Sequence, residues 1–300
     1  KLMAIKYDNH DKDYIKCITD KERIKTASTW MNNNTLGKWR MNKMLSVLKP
    51  FINKKYSWLT IGDGRFGSDA NYIISNGGNV LATDITDTLL KIANEKGYIN
   101  KYKKENAEFL SFEDDSFDYV LIKEAFHHCP RAWIALHEAF RVCRKAVFLI
   151  EPNDKFQYLT GNLSTRLKNF LKNILRYKNV FKEGYWFEDV GNFGYTVNKR
   201  ELEKFLLGMH YQDVAFIDIN DHYIPGVEFC PANGGTLKNK IMQGKIKGFI
   251  FLHDILCKLG FRQGGMIGAA LYKEIPKKPE IRKLSKFGWK YKKLPKNPYI

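Results

Sequence analysis

Nowhere in the 300 residues is there an apolar run of the roughly 18 residues that a membrane-spanning helix needs, so none is expected. The first sixty residues are studded with charge, which argues against a signal peptide, and Met3 is expected as the natural start. Cysteine is sparse: Cys17, Cys129, Cys143, Cys230 and Cys257 are odd in number and widely spaced, and no C-x-x-C pair occurs. That pattern excludes a disulfide framework and a zinc knuckle, and points to reduced thiols in a cytoplasmic setting. No metal-ligand cluster at ligand spacing is present, so no metal site is expected. Internal repeats are also missing. Negative charge is in short supply: 32 acidic residues face 50 basic ones, for a net charge of +18. Such an excess suits nucleic acid, anionic lipid or phosphorylated substrates. Lysine greatly outnumbers arginine, however, and specific nucleic-acid readout leans on arginine, which makes nucleic acid the lesser expectation.

What is present is an ordered alternation. Residues 1–55 read as a helical N-terminal extension, with Trp30, Trp39, Met41, Met44, Leu45 and Leu48 in a loose helical pattern ending near Pro50. From 56 onward, strands and helices take turns. Strands are predicted at Ser57–Ile61, Val80–Asp84, about Lys103–Ala107, Phe117–Ile122 and Ala146–Ile150. Helices are predicted from Ser68-Asp69 to Gly77-Gly78, from a Thr86 cap to Gly97, and from about Arg131 to Arg144. Continuous apolar strands separated by helices imply a parallel sheet covered on both faces. After Pro152 the rhythm changes. Leu163, Leu167, Phe170, Leu171, Ile174 and Leu175 mark an amphipathic helix, and Asn198 with Glu201 forms a capping-box pattern for a helix ending at Gly208. A sixth strand is predicted at Val214–Asp218, a long helix at about Leu237–Leu259 and a last strand at Met266–Tyr272. The expected organisation is a main domain over 56–273 with insertions at 153–198 and 220–264. A basic-aromatic tail follows over 274–300 and is expected to be partly disordered.

The chemistry is concentrated at strand ends. Gly62-Asp63-Gly64-Arg65-Phe66-Gly67 fits G-x-G-x-x-G between a strand and a helix, where glycine permits a tight turn and close approach of a ligand. The helix start offers free N–H groups and a positive dipole end. Asp84 ends the second strand 22 positions after Gly62, a spacing that suits a carboxylate accepting from both hydroxyls of a ribose. These features fit a nicotinamide dinucleotide as well as an adenosyl ligand. The succession that follows discriminates. Glu105-Asn106-Ala107-Glu108-Phe109-Leu110-Ser111-Phe112 precedes Asp115-Ser116-Phe117-Asp118-Tyr119-Val120, and then come Glu124-Ala125-Phe126-His127-His128.

From about Trp58 to Pro152 this resembles class I, Rossmann-like S-adenosylmethionine-dependent methyltransferases, in particular the branch acting on small molecules. The resemblance implies an α/β fold. Its doubly wound, mostly parallel seven-stranded sheet would carry a C-terminal antiparallel strand, with helical insertions added here. It also implies S-adenosyl-L-methionine as cofactor. Gly62, Asp63, Gly64 and Gly67 would form the turn at its methionine part, and Asp84 would hold the ribose. Ile85 would line the adenine pocket, Asn106 and Ala107 would sit at the adenine, and Glu124 would lie near the sulfonium. Thr60 and Phe66 depart from the family pattern, and Asp63 is expected to supply a charge inside the turn.

His127 and His128 follow the fourth strand, at the edge where open α/β sheets bind ligands, and histidine suits general-base work near neutral pH. One of the pair is expected to pack inward and the other, His128, to face the cleft. Further acceptor-side candidates are Tyr185, Trp186, Glu188 and Tyr195, with the run Asp221-His222-Tyr223. Lys168, Lys172 and Arg176 form a basic stripe, and Lys238, Lys240, Lys245 and Lys247 lead the later helix. Such helices can rest on an anionic membrane surface, a peripheral contact, but more often they pack into the protein with their lysines in water. The expected function is O-methylation of a small-molecule or glycan-type acceptor, phosphorylated or lipid-linked to suit the charge. The alternatives are an RNA methyltransferase gripping its substrate with the tail, and a non-catalytic binding protein of the same fold.

Overall fold

The computed structural model describes residues 8–154, 184–187, 193–296 and 298. Three helices come first, α1 (Asp8–Thr19), α2 (Lys21–Thr29) and α3 (Leu36–Leu45). Five parallel strands follow: β1 (Ser57–Ile61), β2 (Asn79–Asp84), β3 (Tyr102–Lys104), β4 (Phe117–Lys123) and β5 (Cys143–Pro152). They are joined by α4 (Ser68–Ser75), α5 (Thr88–Glu95) and α6 (Ala132–Val142). A small hairpin, β6 (Tyr185–Phe187) and β7 (Phe193–Tyr195), stands apart from the main sheet. Then come α7 (Lys199–Gly208), β8 (Asp213–Ile219), α8 (Leu237–Lys258), β9 (Met266–Tyr272), α9 (Lys278–Lys286) and β10 (Lys290–Lys293).

The main sheet runs β10-β8-β9-β5-β4-β1-β2-β3, with β9 antiparallel to both β5 and β8. Strand order reverses between β1 and β4, which opens a crevice at the carboxyl ends of these strands. Alternation along each strand serves two cores. Trp58, Tyr119, Leu121 and Phe148 pack on one face with α4, α5 and the aromatic rings of Phe51 and Trp289. Leu59, Val120, Ile122 and Leu149 pack on the other with Leu136 and Phe140 of α6 and Leu202 and Leu206 of α7. A third, smaller core joins Leu36 of α3 to Val227, Cys230 and to Ile246 and Ile250 of α8. The N-terminal extension and the later insertion are thus packed on each other.

Three expectations need correcting. The sheet has eight strands, not seven, because the tail supplies β10, which pairs antiparallel with β8. Tail residues 278–294 are also built into the fold: Leu284, Trp289 and Leu294 are buried, and Trp289 Nε1 donates to the carbonyl of Val47 at 3.0 Å. Helix α5 starts after Asp87, not Thr86, whose hydroxyl lies 3.1 Å from that of Thr88. The predicted helix around Leu163–Leu175, the stripe Lys168, Lys172 and Arg176, and Glu188 lie outside the described residues.

Candidate active site

The glycine turn is a set of close approaches. Gly62 has φ +76°, and a Cβ on it would fall 2.3 Å from that of Ala125, so the segment after β4 can lie against the turn only because the side chain is absent. Gly64 meets the phenol of Tyr14 from α1. Gly67, at φ +62°, caps α4, where a Cβ would crowd Ile99, and it is not on the cavity wall. Asp63 does not present its carboxylate to the turn as expected. It accepts from Asp69 N at 3.0 Å, Ala70 N at 2.8 Å and the Thr60 hydroxyl at 2.9 Å. The first turn of α4 is therefore capped by the protein's own carboxylate. This also explains Thr60, which stands where the family often has an acid. Burial, with the Asp69 charge adding to it, pushes the Asp63 carboxyl up to about 8.

At the carboxyl ends of β1, β2 and β4 lies an open cavity of about 410 Å³. Gly62, Asp63, Asp84, Ile85, Asn106, Ala107, Glu124 and His128 line it, whereas Gly64, Gly67 and His127 do not. Asp84 is buried at the end of β2 and accepts from Thr86 N at 3.1 Å. Asn106 turns its own loop by accepting from Glu108 N at 3.0 Å. Glu124 adopts φ +49°, an uncommon conformation for a glutamate, directly after β4.

Sequence reasoning missed much of the wall. Asp13 and Tyr14 of α1, Arg23 of α2 and Trp30 close one side, and Arg65 and Lys123 add positive charge. The Lys123 ammonium is buried 2.9 Å from Glu124 and 3.5 Å from Asp69. Burial would raise the Glu124 carboxyl, but Lys123 and then Arg65 outweigh it and hold the group down to about 2. The Tyr14 phenol is pushed well above its ordinary value, by burial and then by Asp84.

The two histidines occupy different surroundings. His127 is buried, its Nδ1 2.5 Å from an oxygen of Glu151, a fully buried carboxylate that also accepts from Ala125 N at 3.2 Å and Phe126 N at 3.0 Å. His128 packs against it with the rings tilted by 45° and their centroids 4.0 Å apart, and faces the cavity. The β6–β7 hairpin lies beside the pair: Trp186 is 5.5 Å from the His127 ring, and the Tyr195 hydroxyl donates to the Phe126 carbonyl at 3.0 Å. Asp221, His222 and Tyr223 are elsewhere. Asp221 pairs with the buried Arg40 through two hydrogen bonds, and His222 stacks on Phe249 of α8. Among the described residues no group of three or more His, Cys, Asp or Glu is placed to hold a metal ion.

Residues 59–150, from β1 into β5, match the family described as Methyltransferase domain. The chain is 33% identical over 89 residues to the ubiquinone/menaquinone biosynthesis C-methyltransferase of Citrobacter koseri, 28% of this chain and 36% of that protein. It is 23% identical over 215 residues to the enzyme of the same name from Blochmanniella floridana, 66% of this chain and 82% of that protein. It therefore spans about a third of the first of these curated relatives. It is also similar to the crystal structure of Burkholderia thailandensis 1,6-didemethyltoxoflavin-N1-methyltransferase (TM-score 0.47, 11% identity, 91% of this chain and 93% of that one). Residues 59–150 form a class I, Rossmann-like S-adenosylmethionine-dependent methyltransferase domain.

Proposed function

We propose that the protein transfers the methyl group of S-adenosylmethionine to an oxygen of a small-molecule or glycan-type acceptor, with His128 as general base. One observation carries this: at the ends of four neighbouring strands, Gly62, Asp84, Asn106 and Glu124 share an open cavity with His128. Its volume of about 410 Å³ is within the range of small-ligand pockets. Asp84 would accept from the ribose hydroxyls, Ile85 and Ala107 would flank the adenine, and Asn106 would meet its amino group. The Gly62 turn would lie along the methionine part, and the Glu124 carboxylate would stand near the sulfonium cation. When bound, the cofactor supplies an electrophilic methyl group. His128 would take the proton of the acceptor hydroxyl, and Glu151 would hold His127 beneath it. The net charge of +18 favours a phosphorylated or lipid-linked acceptor met in the cytoplasm or at a membrane surface.

A second reading, methylation at carbon, is favoured by the relatives, which are C-methyltransferases of ubiquinone and menaquinone biosynthesis. The RNA reading loses its main support, because the tail it relied on is built into the sheet. Incubation with methyl-labelled cofactor and a panel of glycans, nucleotide-linked sugars and quinols tests the proposal. Label in a methyl ether, falling by about 10²-fold in His128→Ala, is expected. Label on carbon establishes the second reading, and an unchanged rate in the variant removes His128 as base.

A further inference from the structure

Helix α8 is apolar on two opposite sides. Its inner side buries Ile246, Ile250 and Cys257. Its outer side carries Leu237, Ile241, Phe251, Leu252, Ile255 and Leu259, which are 38–74% exposed. At 3.6 residues per turn these six fall within an arc of about 100°. Gly244 and Gly248 occupy the gap on the same line, both open to solvent, and Phe261 extends it beyond the helix at 78% exposure. Exposed lysines border the stripe on both sides, Lys238 and Lys245 on one and Lys240 and Lys258 on the other. None of the four makes an ion pair among the described residues. No described residue covers the stripe, and exposed apolar side chains gathered on one helix face mark an interaction site.

We propose that this face of α8 docks the protein on an anionic lipid bilayer. The helix would lie in the plane of the interface, with Phe251, Leu252, Ile255, Leu259 and Phe261 among the acyl chains and the lysines on headgroup phosphates. Charge decides between this occupant and a second copy of the chain. Pairing two such faces would bring rows of lysine together between molecules of net charge +18, whereas an anionic surface neutralises both rows. No described helix is long and apolar enough to cross a membrane, so α8 lies on the bilayer and does not span it. The surface does not depend on the methyl-transfer reading, and its test uses no cofactor.

Sedimentation of the protein with sucrose-loaded vesicles tests the proposal, using mixed phosphatidylglycerol–phosphatidylcholine against pure phosphatidylcholine. Binding to the anionic vesicles, weakened by high salt, is expected. Replacing all four bordering lysines by Gln should weaken it about a hundredfold or more, at roughly fivefold per lysine. The triple variant Phe251→Ser, Leu252→Ser, Ile255→Ser should also lose it while keeping the wild-type circular dichroism and melting temperature, since all three side chains are exposed. No sedimentation with anionic vesicles would overturn the proposal, as would equal binding by both variants. A dimer in light scattering that the triple variant abolishes, without vesicle binding, would assign the face to a second copy instead.

Discussion

The phenol oxygen of Tyr14 stands where a side chain on Gly64 would begin: a Cβ at Gly64 would lie 2.2 Å from it. The first helix is therefore seated on the glycine turn itself, and it forms a wall of the cavity through Asp13 and Tyr14. Gly64→Ala should push α1 off this seat, at a cost of about 1–3 kcal/mol as at other overpacked positions. Limited proteolysis should then cut within residues 8–29 faster than in the wild type. An unchanged cleavage pattern and melting curve would show that α1 does not rest on the turn.

Glu151 and His128 should separate stability from turnover. Glu151 is fully buried, and its carboxylate holds two backbone N–H groups and His127. Glu151→Ala should cost about 2–5 kcal/mol of unfolding free energy in urea, since it removes the acceptor of two backbone N–H groups, at about 1–3 kcal/mol each, and the contact with His127. His128, half-buried at the cavity, should cost roughly 0.5 kcal/mol or less when replaced by Ala, since it lies outside the core. A loss of stability in His128→Ala matching that of Glu151→Ala would mean that the two histidines form one structural unit.

Two carboxylates give opposite pH dependences. Asp63 rises from its unfolded value of about 3.9 to about 8 in the fold. Its contribution to stability is thus complete below about 4 and is lost as pH rises toward 8. Glu124 falls from about 4.3 to about 2, so its contribution is present above about 4.3 and is lost as pH drops toward 2. Melting curves across pH should therefore show the wild type losing ground to Asp63→Asn between pH 5 and 8. Glu124→Gln should flatten the acid limb. A constant difference between wild type and Asp63→Asn would contradict the buried-carboxyl assignment.

The parallel half of the sheet was legible because its strands are buried on both faces and carry continuous apolar runs such as Val120–Ile122. The helix ending at Gly208 was legible because Asn198 and Glu201 cap each other locally. What escaped depends on contacts distant in sequence. Lys290–Lys293 reads as charge, and becomes a strand only because Tyr291 reaches Asp213 while the lysines stay in water at the sheet edge. Leu284, Trp289 and Leu294 are spaced too irregularly among lysines to announce a core. Within the site, Gly62, Asp84 and Asn106 were readable from strand-end position. Tyr14 and Trp30 reach the cavity from helices with no local mark of it. Lys123 and Glu151 left one usable signal, a charged residue at the carboxyl end of an apolar strand.

Titration calorimetry with S-adenosylhomocysteine tests most directly whether this crevice holds an adenosyl cofactor through Asp84. Saturable one-to-one binding by the wild type is predicted. Asp84→Ala should weaken it by about 1.5–3 kcal/mol, the loss of charged hydrogen bonds, or roughly 10- to 150-fold. No heat of binding at millimolar ligand, equal affinity in the variant, or tighter binding of a nicotinamide dinucleotide would contradict it.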